Sequence, residues 1–208
     1  MENMNQAIIY LSILIVSYLI GAFPSGYVFY KLKTGKDIRN IGLRKNMGST
    51  NVFVNGGILL GTLTLIFDIV KGAVPVLIAG ILTGSELLMI LCGTAAILGH
   101  VFPVYIGFRG GTGLATSLGA LIILIPGIMI TYTVLFAILT PLVKRPAFIG
   151  LILMIFIPFF SYMLGYSMLI TGICTLMGIF YTGISMTHIE SMLRGDEYQE
   201  VIRILRSD

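Results

Sequence analysis

A chain of 208 residues that is 57% hydrophobic and only 11% charged is not an ordinary soluble domain, where charged residues run to about 25%. The length suits one membrane-embedded domain, residues 1–208, with little left over for a soluble one. Its net charge of +4 rests on few basic residues with no soluble domain to carry them. This excludes nucleic acid as a partner and leaves the lipid bilayer.

Met1 to Gln6 contains Glu2 and no Lys or Arg, so it lacks the basic start of a signal peptide. No small-residue cleavage site follows, and the first apolar run reads as a retained span. Ala7 to Tyr30 is long enough to cross a hydrocarbon core, which takes about 20 apolar residues. The run from Gly21 through Pro24 to Gly26 predicts a kink or break near its end. Lys31 to Asn55 is polar and basic, with six Lys or Arg against Asp37.

Ile58 to Leu82 forms the second span, interrupted by Asp68 to Gly72 and by Pro75. The third, Leu87 to Ile106, ends with His100 and Pro103. A glycine-dense turn, Phe108-Arg109-Gly110-Gly111-Thr112-Gly113, leads into Leu114 to Ile125, which is short for a crossing and is tilted or partly inserted. Ile128–Val143, Phe148–Leu164 and Ser167–Gly183 are the last spans, and 184–208 is a polar tail. The expected fold is an all-α polytopic membrane protein with about seven transmembrane helices. Cys92 and Cys174 sit alone in apolar runs without metal-type spacing and read as buried small hydrophobes.

Seven spans with the N-terminus outside put 31–55, 107–113, 144–146 and 184–208 in the cytoplasm. Those segments hold every Lys and Arg except Lys71, while the opposite side shows only Glu2 and Glu86. Such a partition predicts an N-out, C-in orientation.

Four groups of residues carry chemistry. The glycine turn uncovers backbone N–H groups beside Arg109 and ahead of a helix N-terminus, which makes a cradle for a phosphate. The same small residues would also serve simply to let membrane helices approach. Asp68 and Lys71, three apart on one helical face, are costly at membrane depth; they are functional candidates or a structural ion pair. His100, beside the turn, is a candidate catalyst or a satisfied hydrogen-bonding residue. The first loop mixes Arg39, Arg44 and Lys45 with Asn46, Gly48, Thr50 and Asn51. Topology and contact with anionic lipid need only the charge; the amides and glycines point to a phosphate site. No P-loop, metal-ligand spacing or G-x-S-x-G nucleophile is present.

Four stretches together resemble the bacterial acyl-phosphate-dependent glycerol-3-phosphate acyltransferase family. They are Gly21–Gly26 with Asp37-Ile38-Arg39, then Gly48-Ser49-Thr50-Asn51, then Asp68-x-x-Lys71-Gly72 with Pro75, and Gly99-His100-x-Phe102-Pro103 running into the glycine turn. The resemblance implies a seven-span, N-out fold in the bacterial inner membrane with its active face in the cytoplasm. It also implies transfer of a fatty acyl group from acyl phosphate to the 1-hydroxyl of glycerol 3-phosphate, giving lysophosphatidic acid. Acyl phosphate is an activated mixed anhydride, so positioning and charge stabilisation can carry much of the rate without an enzyme nucleophile.

Carried over on the matching positions, Arg39, Asn46, Gly48, Thr50 and Asn51 are candidate contacts for glycerol 3-phosphate, joined by Arg44 and Lys45, which stand where the chain departs from the first motif and replace part of its charge. Arg109, Gly110, Gly111, Thr112 and Gly113 form the candidate acyl-phosphate cradle. His100, Lys71 and His188 are the candidate catalytic or supporting residues. Implied partners are the two substrates, the bilayer and other enzymes of phospholipid synthesis; no cofactor and no metal is implied. The chain departs from the family at Thr112, where the turn has a lysine, and at Val54, where an arginine follows the first motif. The C-terminal motif is reduced to Ile189, Gly195 and Glu197. These departures leave two alternatives: a catalytically impaired paralogue that binds phospholipid precursors or partners the active enzyme, and a small transporter built on broken helices.

Overall fold

The computed structural model describes residues 2–42, 44–186, 194, 199 and 202. Its helices fall into two compact units, Met1–Leu124 and Ile125–Asp208, a boundary that no shift of composition marks.

In the first unit, α1 (Glu2–Gly21) and α2 (Ser25–Thr34) are separated at Pro24, which precedes the first helical residue of α2. The expected break is therefore present, and there the Phe23 carbonyl accepts from the Ser25 N–H at 3.0 Å and from Lys71 Nζ at 2.8 Å. Gly35, at φ 72°, closes α2 in the left-handed conformation that glycine adopts without strain. The polar stretch that follows is more structured than a loop. It contains a 3-10 turn, Ile38–Asn40, and a short helix α3, Ser49–Gly56.

Helix α4 (Ile58–Thr83) runs 26 residues without a break, which corrects the expected interruption at Asp68–Gly72 and Pro75. Asp68 and Lys71 pair on one face and can stay in the helix. A membrane helix tolerates a proline where neighbouring helices shield the disturbed backbone. Helix α5 (Glu86–Val101) starts at Ser85, whose hydroxyl accepts from the Leu88 N–H at 3.3 Å. A 3-10 turn, Val104–Ile106, and the glycine turn lead to α6, Leu114–Leu124. With 11 residues, α6 is about 16 Å long at 1.5 Å per residue, roughly half of a ~30 Å core.

Helix α4 lies at the centre of this unit, against α1, α2, α3, α5 and α6. Close approach depends on small residues. A Cβ at Gly72 would meet the Thr116 carbonyl oxygen, and one at Gly119 would meet that of Ile69. In the same way Gly21 lies on Ala96, and Gly99 on Tyr18 and Ala22, where α1 crosses α5.

The second unit is a run of helical hairpins: α7 (Pro126–Val143), α8 (Pro146–Met163) and α9 (Met168–Met186). Helix α8 packs on both of the others. Pro126 and Pro146 occupy first-turn positions, where their missing N–H is not needed.

Each of the seven apolar segments expected from the sequence is helical. Among the described residues, four candidates are long and apolar enough to cross a membrane: Met4–Thr34, Ile58–Thr83, Glu86–Ile106 and Pro126–Val143. Leu114–Leu124, Phe148–Met163 and Met168–Gly183 are shorter apolar helices.

Candidate active site

The first polar loop sits on a small apolar core of its own. Ile38, Met47, Tyr30, Val52 and Leu60 are buried together, with Ile106 from the far side of the unit packed against them. Gly26 of α2 is in contact with the loop, since a Cβ there would meet the Met47 carbonyl. Asn51 then closes the loop from within. Its Nδ2 donates to the carbonyls of Asn46 at 2.8 Å, Ile41 at 3.1 Å and Ile38 at 3.2 Å. Its Oδ1 accepts from Asn55 Nδ2 at 3.1 Å. Asn46 Oδ1 accepts from the Gly48 N–H at 3.0 Å, which sets up the entry to α3.

Arg39 joins this loop to the glycine turn. Nε and Nη2 donate to both oxygens of Asp37, the shortest bond being 2.7 Å, while Nη1 donates to the Ile106 carbonyl at 2.7 Å. The guanidinium carbon lies 4.9 Å from the centre of the Tyr27 ring. A fork-shaped cation can make these contacts together, and a point charge cannot. The hydrogen bonds from Arg39 hold the Asp37 carboxyl below the usual carboxylate range, against the opposing effect of burial.

The glycine turn is built against the end of α5. Gly107 and Phe108 are both left-handed, at φ 73° and 59°, and the Phe108 N–H returns to the Pro103 carbonyl at 2.9 Å. Gly110 N–H donates to the Val101 carbonyl and Gly111 N–H to that of His100, each at 3.2 Å. A Cβ at Gly110 would meet the His100 carbonyl, and one at Gly111 would meet the His100 imidazole. The expectation that the Gly110 and Gly111 amides face an anion is thereby corrected. Both are bonded to α5, because closing the turn over His100 uses the donors that glycine leaves open. The donors that remain are in the first turn of α6, whose amides have no intrahelical acceptor. Gly113 opens that turn at φ 82°, and Arg109 stands exposed beside it.

Beneath the turn lies a buried polar cluster. Asp68, Lys71 and His100 are 1%, 5% and 2% exposed. Lys71 Nζ is 2.7 Å from Asp68 Oδ1 and donates to the Phe23 carbonyl at 2.8 Å. Ser25 Oγ donates to the same Asp68 oxygen at 2.6 Å, and His100 Nδ1 lies 3.6 Å from it. Tyr18 adds a bond from its hydroxyl to the Phe102 carbonyl, 2.7 Å. Between α1 and α4 an apolar groove of about 570 Å³, lined by Val16, Leu19, Phe23, Phe67, Val70 and Tyr105 among others, reaches Lys71.

The fold thus brings Arg39, Lys71, His100 and the glycine turn into one region. Arg44 and Lys45 lie exposed on the loop, and Thr50 and Thr112 are half-buried. Asn51 is 3% exposed; its donors face the loop's own carbonyls, so it supports the loop from inside. His188 and the C-terminal motif lie outside the described residues. Tyr18 and Tyr27 carry no mark in the sequence, and Ser25 has only its place in the Gly21–Gly26 stretch, because only tertiary contact gives each of them its partner.

Comparison with known proteins places this geometry. A family model described as glycerol-3-phosphate acyltransferase matches residues 11–195. A glycerol-3-phosphate acyltransferase of Syntrophotalea carbinolica is 46% identical over 127 residues, 61% of this chain and 64% of that protein. The chain spans 53% to 64% of the length of three such curated relatives. Among solved structures, the integral membrane glycerol 3-phosphate acyltransferase PlsY (YgiH) in its glycerol 3-phosphate form has a TM-score of 0.81 and 30% identity. That match covers 89% of this chain and 92% of the solved one. The lysophosphatidic acid form of the same enzyme gives a TM-score of 0.79 at 27% identity, covering 93% and 98%.

Proposed function

The chain belongs to the glycerol-3-phosphate acyltransferase family, and we propose that it acylates the 1-hydroxyl of glycerol 3-phosphate from acyl phosphate. The hydroxyl oxygen attacks the acyl carbonyl, an ester bond forms, and the carbon–oxygen bond to phosphate breaks. Inorganic phosphate leaves with that electron pair and takes up the hydroxyl proton, and lysophosphatidic acid is the product. Both substrates bring phosphates, and the acyl chain enters from the bilayer.

The observation that carries the reading is Arg39. Its contacts to Ile106 and Asp37 hold a basic, amide-rich loop against the glycine turn, so two phosphate sites adjoin. The loop, with Arg44, Lys45, Asn46 and Thr50, takes glycerol 3-phosphate. Arg109, Thr112 and the N-terminus of α6 take the acyl phosphate, where amide donors and a positive dipole end favour an anion. The groove between α1 and α4 receives the acyl chain, and His100 and Lys71 support the turn from below. The site faces the cytoplasm of a bacterial inner membrane, the side on which the basic loops collect.

Purified protein supplied with acyl phosphate and glycerol 3-phosphate is expected to form lysophosphatidic acid and phosphate in equal amounts. Folded protein that releases neither product overturns the reading. Thr112 favours one second reading, an impaired copy that binds both substrates and turns over slowly, since a cation at that position would help neutralise the leaving phosphate. Thr112→Lys tests the part that Thr112 plays: a rise in kcat of about tenfold or more, worth about 1.4 kcal/mol of barrier, supports the impaired copy, and no rise removes Thr112 as the ground for it.

A further inference from the structure

Asp68 is the shared node of three helices. It receives Ser25 from α2 and Lys71 from α4, and His100 of α5 stands 3.6 Å away. These are the charged and polar groups that the structure sets against it. Two atoms of the cluster remain unpartnered although both are buried, Asp68 Oδ2 and His100 Nδ1. Buried polar atoms are nearly always bonded, so two in one cluster call for an explanation.

His100 connects this node to the surface. Its carbonyl accepts the Gly111 N–H at 3.2 Å, and its imidazole is the surface that a Cβ at Gly111 would strike. The imidazole therefore forms the floor of the glycine turn. The Asp68 carboxylate lies 3.6 Å from Nδ1, and Ser25 and Lys71 hold that carboxylate still.

We propose that Asp68 is a positioning residue, which sets the glycine turn by orienting the His100 imidazole beneath it. The inference rests on the acyltransferase reading only in naming the substrate that feels the effect, the acyl phosphate held at the turn. As phosphate engages the turn, the 3.6 Å contact tightens to a hydrogen bond, as loosely made contacts of unliganded sites do. Asp68 itself touches no substrate.

The test uses the full chain in detergent or nanodiscs. Asp68→Asn leaves the Lys71 charge buried and unpaired, which is expected to lower the unfolding temperature. The double variant Asp68→Asn/Lys71→Met removes that charge, and the unfolding temperature recovers. If Asp68 positions the turn, hydrogen exchange in the 107–113 segment remains about tenfold faster than wild type in the double variant, despite that recovery. KM for acyl phosphate then rises about tenfold, the order expected when a bound group is displaced by a fraction of an ångström, while KM for glycerol 3-phosphate stays unchanged. Combining Asp68→Asn with His100→Gln gives no further loss beyond either change alone, because both act through one ring.

Exchange at 107–113 that returns to the wild-type rate in the double variant overturns the proposal, as does an equal rise in both KM values. Wild-type protein without turnover overturns the acyltransferase reading instead, and the exchange measurement still decides the role of Asp68.

Discussion

A planar guanidinium at position 39 makes contacts that an ammonium cannot reproduce. Arg39→Lys keeps the charge beside Asp37 but gives up the fork that also reaches the Ile106 carbonyl. The expected loss is about 1.5–3 kcal/mol of stability, the usual worth of a hydrogen bond to a charged group, read as a lowered unfolding temperature. Asp37 itself titrates. Its folded pKa lies below its unfolded value because Arg39 bonds to the ionised form. The stabilisation is thus complete above the unfolded pKa of about 3.9 and is lost as pH falls through the lower, folded one. Asp37→Asn should flatten that acid limb of a stability–pH profile and leave its neutral region parallel to wild type. At position 51 the amide matters as a donor. Asn51→Asp sets a carboxylate oxygen against the carbonyls of Ile38, Ile41 and Asn46. The loop should loosen, with KM for glycerol 3-phosphate rising tenfold or more, on the order of 1.4 kcal/mol, while KM for acyl phosphate stays close to wild type.

Among the elements, the glycine turn and the α4–α6 contact depend most on the absence of side chains. Gly111→Ala drives a methyl group into the His100 ring and should cost about 1–3 kcal/mol as overpacking, with acyl-phosphate binding weakened in assays at limiting donor. At Gly113 the backbone itself decides: φ 82° is left-handed, so Gly113→Ala costs roughly 1–2 kcal/mol for an L-residue. Gly119→Val separates α6 from the Ile69 carbonyl of α4 and should lower the unfolding temperature more than either. The sequence alone shows why these segments are helical: long apolar runs, with Pro24 and the glycines as punctuation. It also marks the turn as special. The direction in which the turn's amides point is not legible there, because that depends on α5 ending where its last carbonyls can accept them. Helix α3 was hidden for a related reason. Its eight residues are too few to show a period, and it is held by Asn51 and by burial of Val52.

For the whole molecule, charge placement predicts sidedness. With Cys92 and Cys174 replaced by Ser, Lys33→Cys should react with a membrane-impermeant thiol reagent only from the cytoplasmic face, and Glu86→Cys only from the other. Labelling of both from one face would overturn the N-out, C-in orientation. The sequence by itself determined that this chain lives in a bilayer, where its apolar segments begin and end, and which family's motifs it carries in order. Those properties are local or additive: hydropathy over some twenty residues, the count of basic residues per loop, the spacing of glycines. Only the tertiary structure decided which of the marked residues are tied into the scaffold and which stand exposed. Arg39 and Asn51 sit side by side with Arg44 and Asn46 in one basic loop, and composition cannot rank them. What separates them is a carbonyl from residue 106, a core beneath the loop, and a buried carboxylate at Asp68 that three helices must converge to enclose.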